Sequence, residues 1–249
     1  MTVKAVLFDL GNTLLRYPLQ GHWGEYLREQ LEQVYTQVCD GATIHHVAPL
    51  TFASVTADMI GGERAKAHEG AGGVWRFEDR LREGLTALEI ACDEARLRAA
   101  IEVFYRPIHE STSLFADTVS CLERLTGAGY RLAVVSDTPW DVPGYLCRGD
   151  MEKWGIVGYF EATYFSGDGQ WRKPHPQTMA AGAEMLGVPL KECVAVGDTL
   201  SREIAAANAA GIPSIWIDRS GTQQPWEGAR PTVRVESLTE AVKGIEITD

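Results

Sequence analysis

The chain has 249 residues, 45% hydrophobic and 23% charged, values close to those of ordinary folded domains that exclude a collagenous, disordered or low-complexity whole. At roughly 150 residues per domain, the length predicts one large domain or one domain carrying a sizeable insertion. Lys and Arg number 23 against 34 Asp and Glu, a net charge of −11. No segment gathers the basic residues into the stripe that a nucleic-acid backbone or an anionic membrane would need, so neither is an expected partner.

Val3 to Phe8 is a short apolar run closed by Asp9 and the turn-forming Gly11-Asn12, and it reads as a buried strand with a polar carboxyl end. The run is too short for the core of a signal peptide, and nowhere do 18 apolar residues follow one another, so a cytoplasmic protein is expected. Cys39, Cys92, Cys121, Cys147 and Cys193 are odd in number and lack a Cys-x-x-Cys pair; they read as reduced packing residues.

From residue 17 to about residue 110 strand-type runs give way to helical periodicity. Helices are expected near 22–38, 46–60, 74–91 and 93–106, with glycine connections at Gly61-Gly62 and at residues 70–73. Strand and helix then alternate. Ala116 to Thr126 sets Val119, Leu122 and Leu125 on one helical face, and Arg131 to Val135 runs apolar into Ser136-Asp137-Thr138-Pro139. Cys193 to Val196 runs into Gly197-Asp198-Thr199, and the Ala-rich helix expected at Leu200 to Ala210 stops at Gly211. Shorter strands are expected at Ala162–Phe165, Ser214–Ile217 and Thr232–Val235.

This alternation predicts an α/β protein with a parallel sheet covered on both faces and an all-helical insertion. Ligands of such sheets gather outside the carboxyl ends of the strands, where Asp9, Ser136 and Asp198 are expected. Each has an ordinary structural role open to it when taken singly: Asp9 as a turn residue, Lys173 as a solvated lysine ahead of Pro174, Thr199 or Ser201 as a helix cap, Glu203 as a first-turn acid. Asp9, Ser136, Asp198 and Lys173 together describe a site. Two carboxylates on one rim repel each other unless a cation lies between, and Mg²⁺, a hard dication that takes oxygen ligands, fits best.

The ordered set FDLGNTL, VVSDT, RKPHP and VGDTLSREI resembles the four motifs of the haloacid dehalogenase superfamily of aspartate-nucleophile hydrolases, over most of the chain. The helical insertion resembles the superfamily's first class of cap. The resemblance implies a Rossmann-like core at 1–16 and 111–249 with a cap domain at 17–110. It implies that Asp9 attacks phosphorus to form an aspartyl-phosphate, and that Mg²⁺ is held by Asp9, the backbone carbonyl of Gly11 and Asp198. By the same resemblance Glu203 supports the metal's waters, and Ser136, Asp137 and Lys173 surround the phosphoryl group. The implied activity is a phosphatase acting on a small phosphorylated metabolite.

Three positions depart from the family's pattern. The family's phosphatases carry a second Asp two residues after the nucleophile, as acid for the leaving group and then base for water; here it is Gly11. Loss of a general acid costs about 10²- to 10⁴-fold, most for leaving groups that need a proton. Asp137 stands where Asn is usual, and Glu203 where Asp is usual. Asp198 argues against the metal-free dehalogenases. Two alternatives stay open: a phosphonatase-like C–P hydrolase using Lys66, and a binding or regulatory protein with little catalysis. His22, Trp23, His45, His46, His68, Trp75 and Arg76 are candidates by chemistry for substrate selection in the cap.

Overall fold

The computed structural model describes residues 2–17, 23–39, 47–69, 75–220 and 228–248. Strand β1 (Ala5–Phe8) is buried throughout, and a two-residue strand β2 (Leu15–Arg16) follows it. Four helices come next: α1 (Trp23–Cys39), α2 (Pro49–Glu69), α3 (Phe77–Ala87) and α4 (Glu94–Ser111). The chain returns through β3 (Ser113–Leu114), antiparallel to β2. It then runs α5 (Thr118–Gly127), β4 (Arg131–Ser136), α6 (Gly144–Lys153), β5 (Ala162–Phe165) and α7 (Gln177–Leu186). It closes with β6 (Cys193–Gly197), α8 (Ala205–Ala210), β7 (Ser214–Ile217), β8 (Val233–Val235) and α9 (Leu238–Thr248).

Six strands form one parallel sheet in the order β5-β4-β1-β6-β7-β8. In its middle, Phe8 of β1 is level with Val134 of β4 on one side and Val196 of β6 on the other. The chain winds outward from β1 through β4 to β5, then comes back beside β1 at β6 and winds outward again to β8. Winding therefore reverses at β1, and such a reversal opens a crevice at the carboxyl end of that strand.

The strands read as unbroken apolar runs because both faces are covered. Ala5, Leu7, Ala133, Val135 and Ala195 pack with Met179 and Ala183 of α7 and Ala206 and Ala207 of α8. The alternate residues Val6, Phe8, Leu132, Val134 and Val196 pack with Leu122 of α5, Met151 of α6 and Leu238 of α9. This second cluster continues into the helical insert through Leu31, Phe77, Leu81, Ile101 and Phe104. The insert is thus joined to the sheet by apolar burial, worth about 1.5–3 kcal/mol for each large side chain removed from water. Helix α4 starts where the Asp93 carboxylate accepts the Arg96 N–H at 2.8 Å, and Leu97, Ile101, Phe104 and Ile108 form its buried face.

The main strands and the four-helix insert agree with the sequence reading, with local differences. Gly61-Gly62, expected to interrupt the chain, lies inside α2. The strong helix formers around the pair outweigh a cost of about 1 kcal/mol per glycine. The helix expected from Leu200 opens as a wider π-type turn, Leu200–Ile204, before α8, a distortion found often at functional sites. The glycine connection at 70–73 lies outside the described residues. Strands β2 and β3 are too short to carry a period, and sequence gave no sign of them.

Candidate active site

Asp9 follows directly on β1 and is buried. Thr13 Oγ1 donates to Asp9 Oδ2 at 3.0 Å, and Ser136 Oγ, at the end of β4, donates to Oδ1 at 3.1 Å. Lys173, from the loop between β5 and α7, places Nζ 2.5 Å from Asp9 Oδ1 and 2.6 Å from Glu203 Oε1; its peptide bond to Pro174 is cis. Glu203 comes from the π-type turn after β6, and its Oε2 accepts the Thr199 N–H at 3.0 Å. Gly197 permits that approach, since a Cβ there would stand 2.3 Å from Glu203 Cγ. Asp198 Oδ1 accepts from Thr199 Oγ1 at 3.0 Å, and its carbonyl accepts from Trp216 Nε1 at 2.8 Å.

One oxygen from each of Asp9, Asp198 and Glu203 lies within 4.8 Å of the others. Close carboxylate oxygens are the donors that a hard divalent cation such as Mg²⁺ takes, so the residues present fit such an ion. Burial raises the Asp9 carboxyl above its ordinary value, with Lys173 opposing and Glu203 adding to the rise. Asp198 is pushed up to about 7 by burial and then by the charges of Glu203 and Asp9. Burial would raise Glu203 as well, but Lys173 and Arg202 together bring it below the usual range. Burial would discharge Lys173, yet Asp9, Glu203 and Asp137 outweigh it and keep the ammonium charged. Glu203, backed by two cations, thus wins the competition for Lys173, and Asp9 and Asp198 are left short of positive charge.

Asp137 lines the cleft, where its Oδ1 accepts the Lys173 N–H at 3.0 Å and its Oδ2 faces the Arg172 guanidinium at 3.7 Å. Arg172 is itself buried and also bonds Asp141 at 2.9 Å. Trp140 and Asp141 hold φ of 57° and 47°, unusual for residues with a side chain. Ser166 braces this turn, accepting the Thr138 N–H at 3.0 Å and donating to Asp141 Oδ1 at 2.6 Å.

The cleft at this rim has a volume of about 170 Å³. Of the residues expected from sequence, Asp9, Gly11, Ser136, Asp137 and Asp198 line it, while Lys173 and Glu203 stand buried behind Asp9. Tyr17, Trp140, Cys147, Arg172 and Arg202 are among the other residues of its walls. None of these five was expected. Arg172 adjoins Lys173 in sequence and Arg202 adjoins Glu203, which is the one local signal available; the rest are brought in by the fold. Among the cap candidates, Trp75 is buried as a packing residue, and Arg76 donates to the carbonyls of Gly167 and Gly169 at 3.4 and 3.3 Å, outside the cleft. His22, His45 and His46, and the side chains of Trp23, Lys66 and His68, lie outside the described residues.

An acid-rich crevice at the winding reversal of a six-stranded parallel sheet, with a helical insert after the first strands, defines a Rossmann-like α/β protein bearing a helical cap. The sequence pattern of the haloacid dehalogenase-like hydrolases matches residues 3–211, and the chain belongs to that family. It is 29% identical to a phosphoglycolate phosphatase of Salmonella typhi over 233 residues, covering 86% of this chain and 81% of that one. Its fold is shared with the 2-haloacid dehalogenase of Pseudomonas syringae pv. Tomato DC3000, at a TM-score of 0.67, 21% identity and 99% of both chains. It is shared too with the Bacillus subtilis HAD-family protein YfnB, solved with magnesium bound, at a TM-score of 0.59 and 16% identity over 98% of this chain and 99% of that one.

Proposed function

We propose that the protein is a Mg²⁺-dependent phosphatase that hydrolyses a small phosphomonoester through an aspartyl-phosphate on Asp9. The observation that carries this reading is a buried carboxylate opening on a cleft, with an ammonium behind it, two hydroxyls on its oxygens and two more acids beside it. In the first step an Asp9 oxygen bonds to phosphorus while the ester oxygen leaves. Ser136 and Lys173 are placed to take the charge that gathers on the phosphoryl oxygens, and Glu203 keeps Lys173 charged and in position. Mg²⁺ would be held by Asp9, the Gly11 carbonyl and Asp198, with Glu203 near its waters, and when bound it supplies the positive charge that these acids lack. Water then releases phosphate from Asp9.

Residues 17–110 act in this reading as the cap domain over a core of 1–16 and 111–249. Similarity to a phosphoglycolate phosphatase makes a phosphorylated small acid the first natural substrate to try. With Gly11 in place of the usual acid, turnover is slow for leaving groups that need a proton. The five cysteines are all free, which suits the reducing cytoplasm. A binding protein without chemistry is disfavoured, because a buried cluster of charges is costly to keep without use.

The test is hydrolysis of p-nitrophenyl phosphate, acetyl phosphate and phosphoglycolate with Mg²⁺ or with EDTA. Turnover is expected to need Mg²⁺ and to fall by roughly 10³-fold or more in Asp9→Asn. Absence of turnover on all three, or full activity in Asp9→Asn, overturns the reading.

A further inference from the structure

Among the described residues three cations stand in or behind the walls of the catalytic cleft, and two of them are already engaged. Lys173 meets Asp9 and Glu203 at 2.5 and 2.6 Å. Arg172 is buried, donates from Nη1 to Asp141 Oδ2 at 2.9 Å and holds Nη2 3.7 Å from Asp137. Arg202 differs. Its guanidinium makes no hydrogen bond to a described residue, and the carboxylate oxygen it approaches, Glu203 Oε1 at 4.0 Å, already meets Lys173. Its side chain keeps 40% of its surface exposed and lines the cleft together with Asp9 and Asp198.

Nearby donors on the same walls are committed elsewhere. Tyr17 gives its hydroxyl proton to the buried Asp150 of α6 at 2.6 Å, an acid that also accepts from Tyr105 of α4 at 2.6 Å. Thr199 gives its own to Asp198. A guanidinium carries five N–H donors in a planar fork that matches the two oxygens of a carboxylate. Since the phosphoryl group at Asp9 has Ser136 and Lys173 beside it, the fork of Arg202 is left for a second anion on the same molecule. Such an anion needs a cation there, because Asp9, Asp137 and Asp198 on the walls repel it. A single fork suits the single charge of a carboxylate better than a second phosphate. The cleft, at about 170 Å³, is far below the roughly 300–1,000 Å³ of drug-sized sites, so the carboxylate lies only a few atoms from phosphorus.

We propose that Arg202 is a specificity-determining residue of the cleft, binding the carboxylate of a short phosphorylated acid whose phosphoryl group lies at Asp9. This rests on the phosphatase reading above and adds to it the residue that recognises the acid. Selection then begins on the core, in the turn after β6, and not only in the insert, where Trp75 is packed away and Arg76 bonds carbonyls outside the cleft. Discrimination has two parts. Arg202 attracts the carboxylate, and once it is gone the acids of the walls repel that carboxylate while leaving an uncharged group of the same size alone.

The experiment compares phosphoglycolate with ethyl phosphate, which has a methyl in place of the carboxylate. Binding is read by calorimetry with Mg²⁺ on Asp9→Asn, Asp9→Asn/Arg202→Gln and Asp9→Asn/Arg202→Lys, each checked by thermal melting. Asp9→Asn is expected to prefer phosphoglycolate, and Arg202→Gln to lower that preference by about 10- to 100-fold, the size of a charge-assisted pair. Arg202→Lys, with the charge but not the fork, is expected to fall between. In turnover, Arg202→Gln should slow phosphoglycolate at least about tenfold more than p-nitrophenyl phosphate, chiefly through KM, as for a contact made equally before and during reaction. A counter-charge to Glu203 alone, or a contact to the phosphoryl group, affects all these compounds alike. Equal loss on phosphoglycolate and ethyl phosphate therefore overturns the proposal and leaves the phosphatase reading intact. No turnover of any phosphate by wild type, with the Arg202-dependent preference still present in calorimetry, overturns that reading and leaves the carboxylate site standing.

Discussion

Asp9 and Asp150 are both buried carboxylates at the seam between sheet and insert, but they are balanced by different chemistry. Asp9 sits among charges: its Lys173 ammonium is shared with Glu203, which also has Arg202 at 4.0 Å, and Asp198 lies close by as the third acid. Asp150 is met by two tyrosine hydroxyls and one imidazole nitrogen. One cluster is left short of positive charge and open to a cleft; the other is saturated and sealed. An incomplete balance is the mark of a site that still has something to bind, whereas a complete one fixes where elements meet.

The hardest test of this contrast removes the ammonium. Lys173→Met leaves Asp9 and Glu203 buried without their cation, and we expect a loss of about 3–5 kcal/mol, read from urea midpoints at pH 7 in EDTA. Added Mg²⁺ should return part of it, because a dication can stand in for the missing charge. Unchanged stability in EDTA would show that the cluster does not depend on Lys173.

Removing the other carboxylate should cost less. Asp150→Leu leaves the Tyr17 hydroxyl without its acceptor and the Tyr105 hydroxyl with only Cys147 Sγ at 3.4 Å; at about 1–3 kcal/mol for an unpaired buried hydroxyl and less for one that keeps a weak partner, a total of about 2–4 kcal/mol is expected from the same urea series. Mg²⁺ should recover none of the loss. A Mg²⁺-dependent recovery here would erase the distinction between the two clusters.

The same contrast explains what could be read in advance. The strand-end residues Asp9, Ser136 and Asp198 were legible because each closes an apolar run, and a parallel sheet brings such ends to one rim. Lys173 was a candidate by its company with those strand ends, whereas Glu203 was found by family resemblance. The cluster around Asp150 was invisible: Tyr17, Tyr105 and Asp150 are 45 or more residues from at least one partner, and nothing local marks a tyrosine as a donor to a distant acid. Asp137 shows a subtler limit. Sequence placed it at the rim beside the phosphate, but only packing reveals that Arg172 and the Lys173 N–H engage its charge. Gly61-Gly62 failed for the opposite reason, since a local breaker signal was overruled by the helix around it.

The smallest effect concerns pH. Asp198 is pushed up to about 7 in the folded chain by burial and by the charges of Glu203 and Asp9, against about 3.9 when unfolded. Between these values the folded state binds more protons than the unfolded one, so stability must fall as pH rises from about 4 to 7. Asp9 is also raised and acts with the same sign; Glu203 is lowered, and its contribution is confined to more acidic pH. The Asp198 side chain keeps contact with cleft water, which screens the effect to about 1 kcal/mol, or about 2–4 °C in Tm for a chain of this size. The slope from pH 5 to 7 in EDTA should be steeper in wild type than in Asp198→Asn, and Mg²⁺ should flatten it in wild type by favouring the ionised carboxylate. Equal slopes in the two proteins would mean that Asp198 is already ionised without a metal, and the shortage of positive charge that sets the catalytic rim apart from Asp150 would have to lie with Asp9 alone.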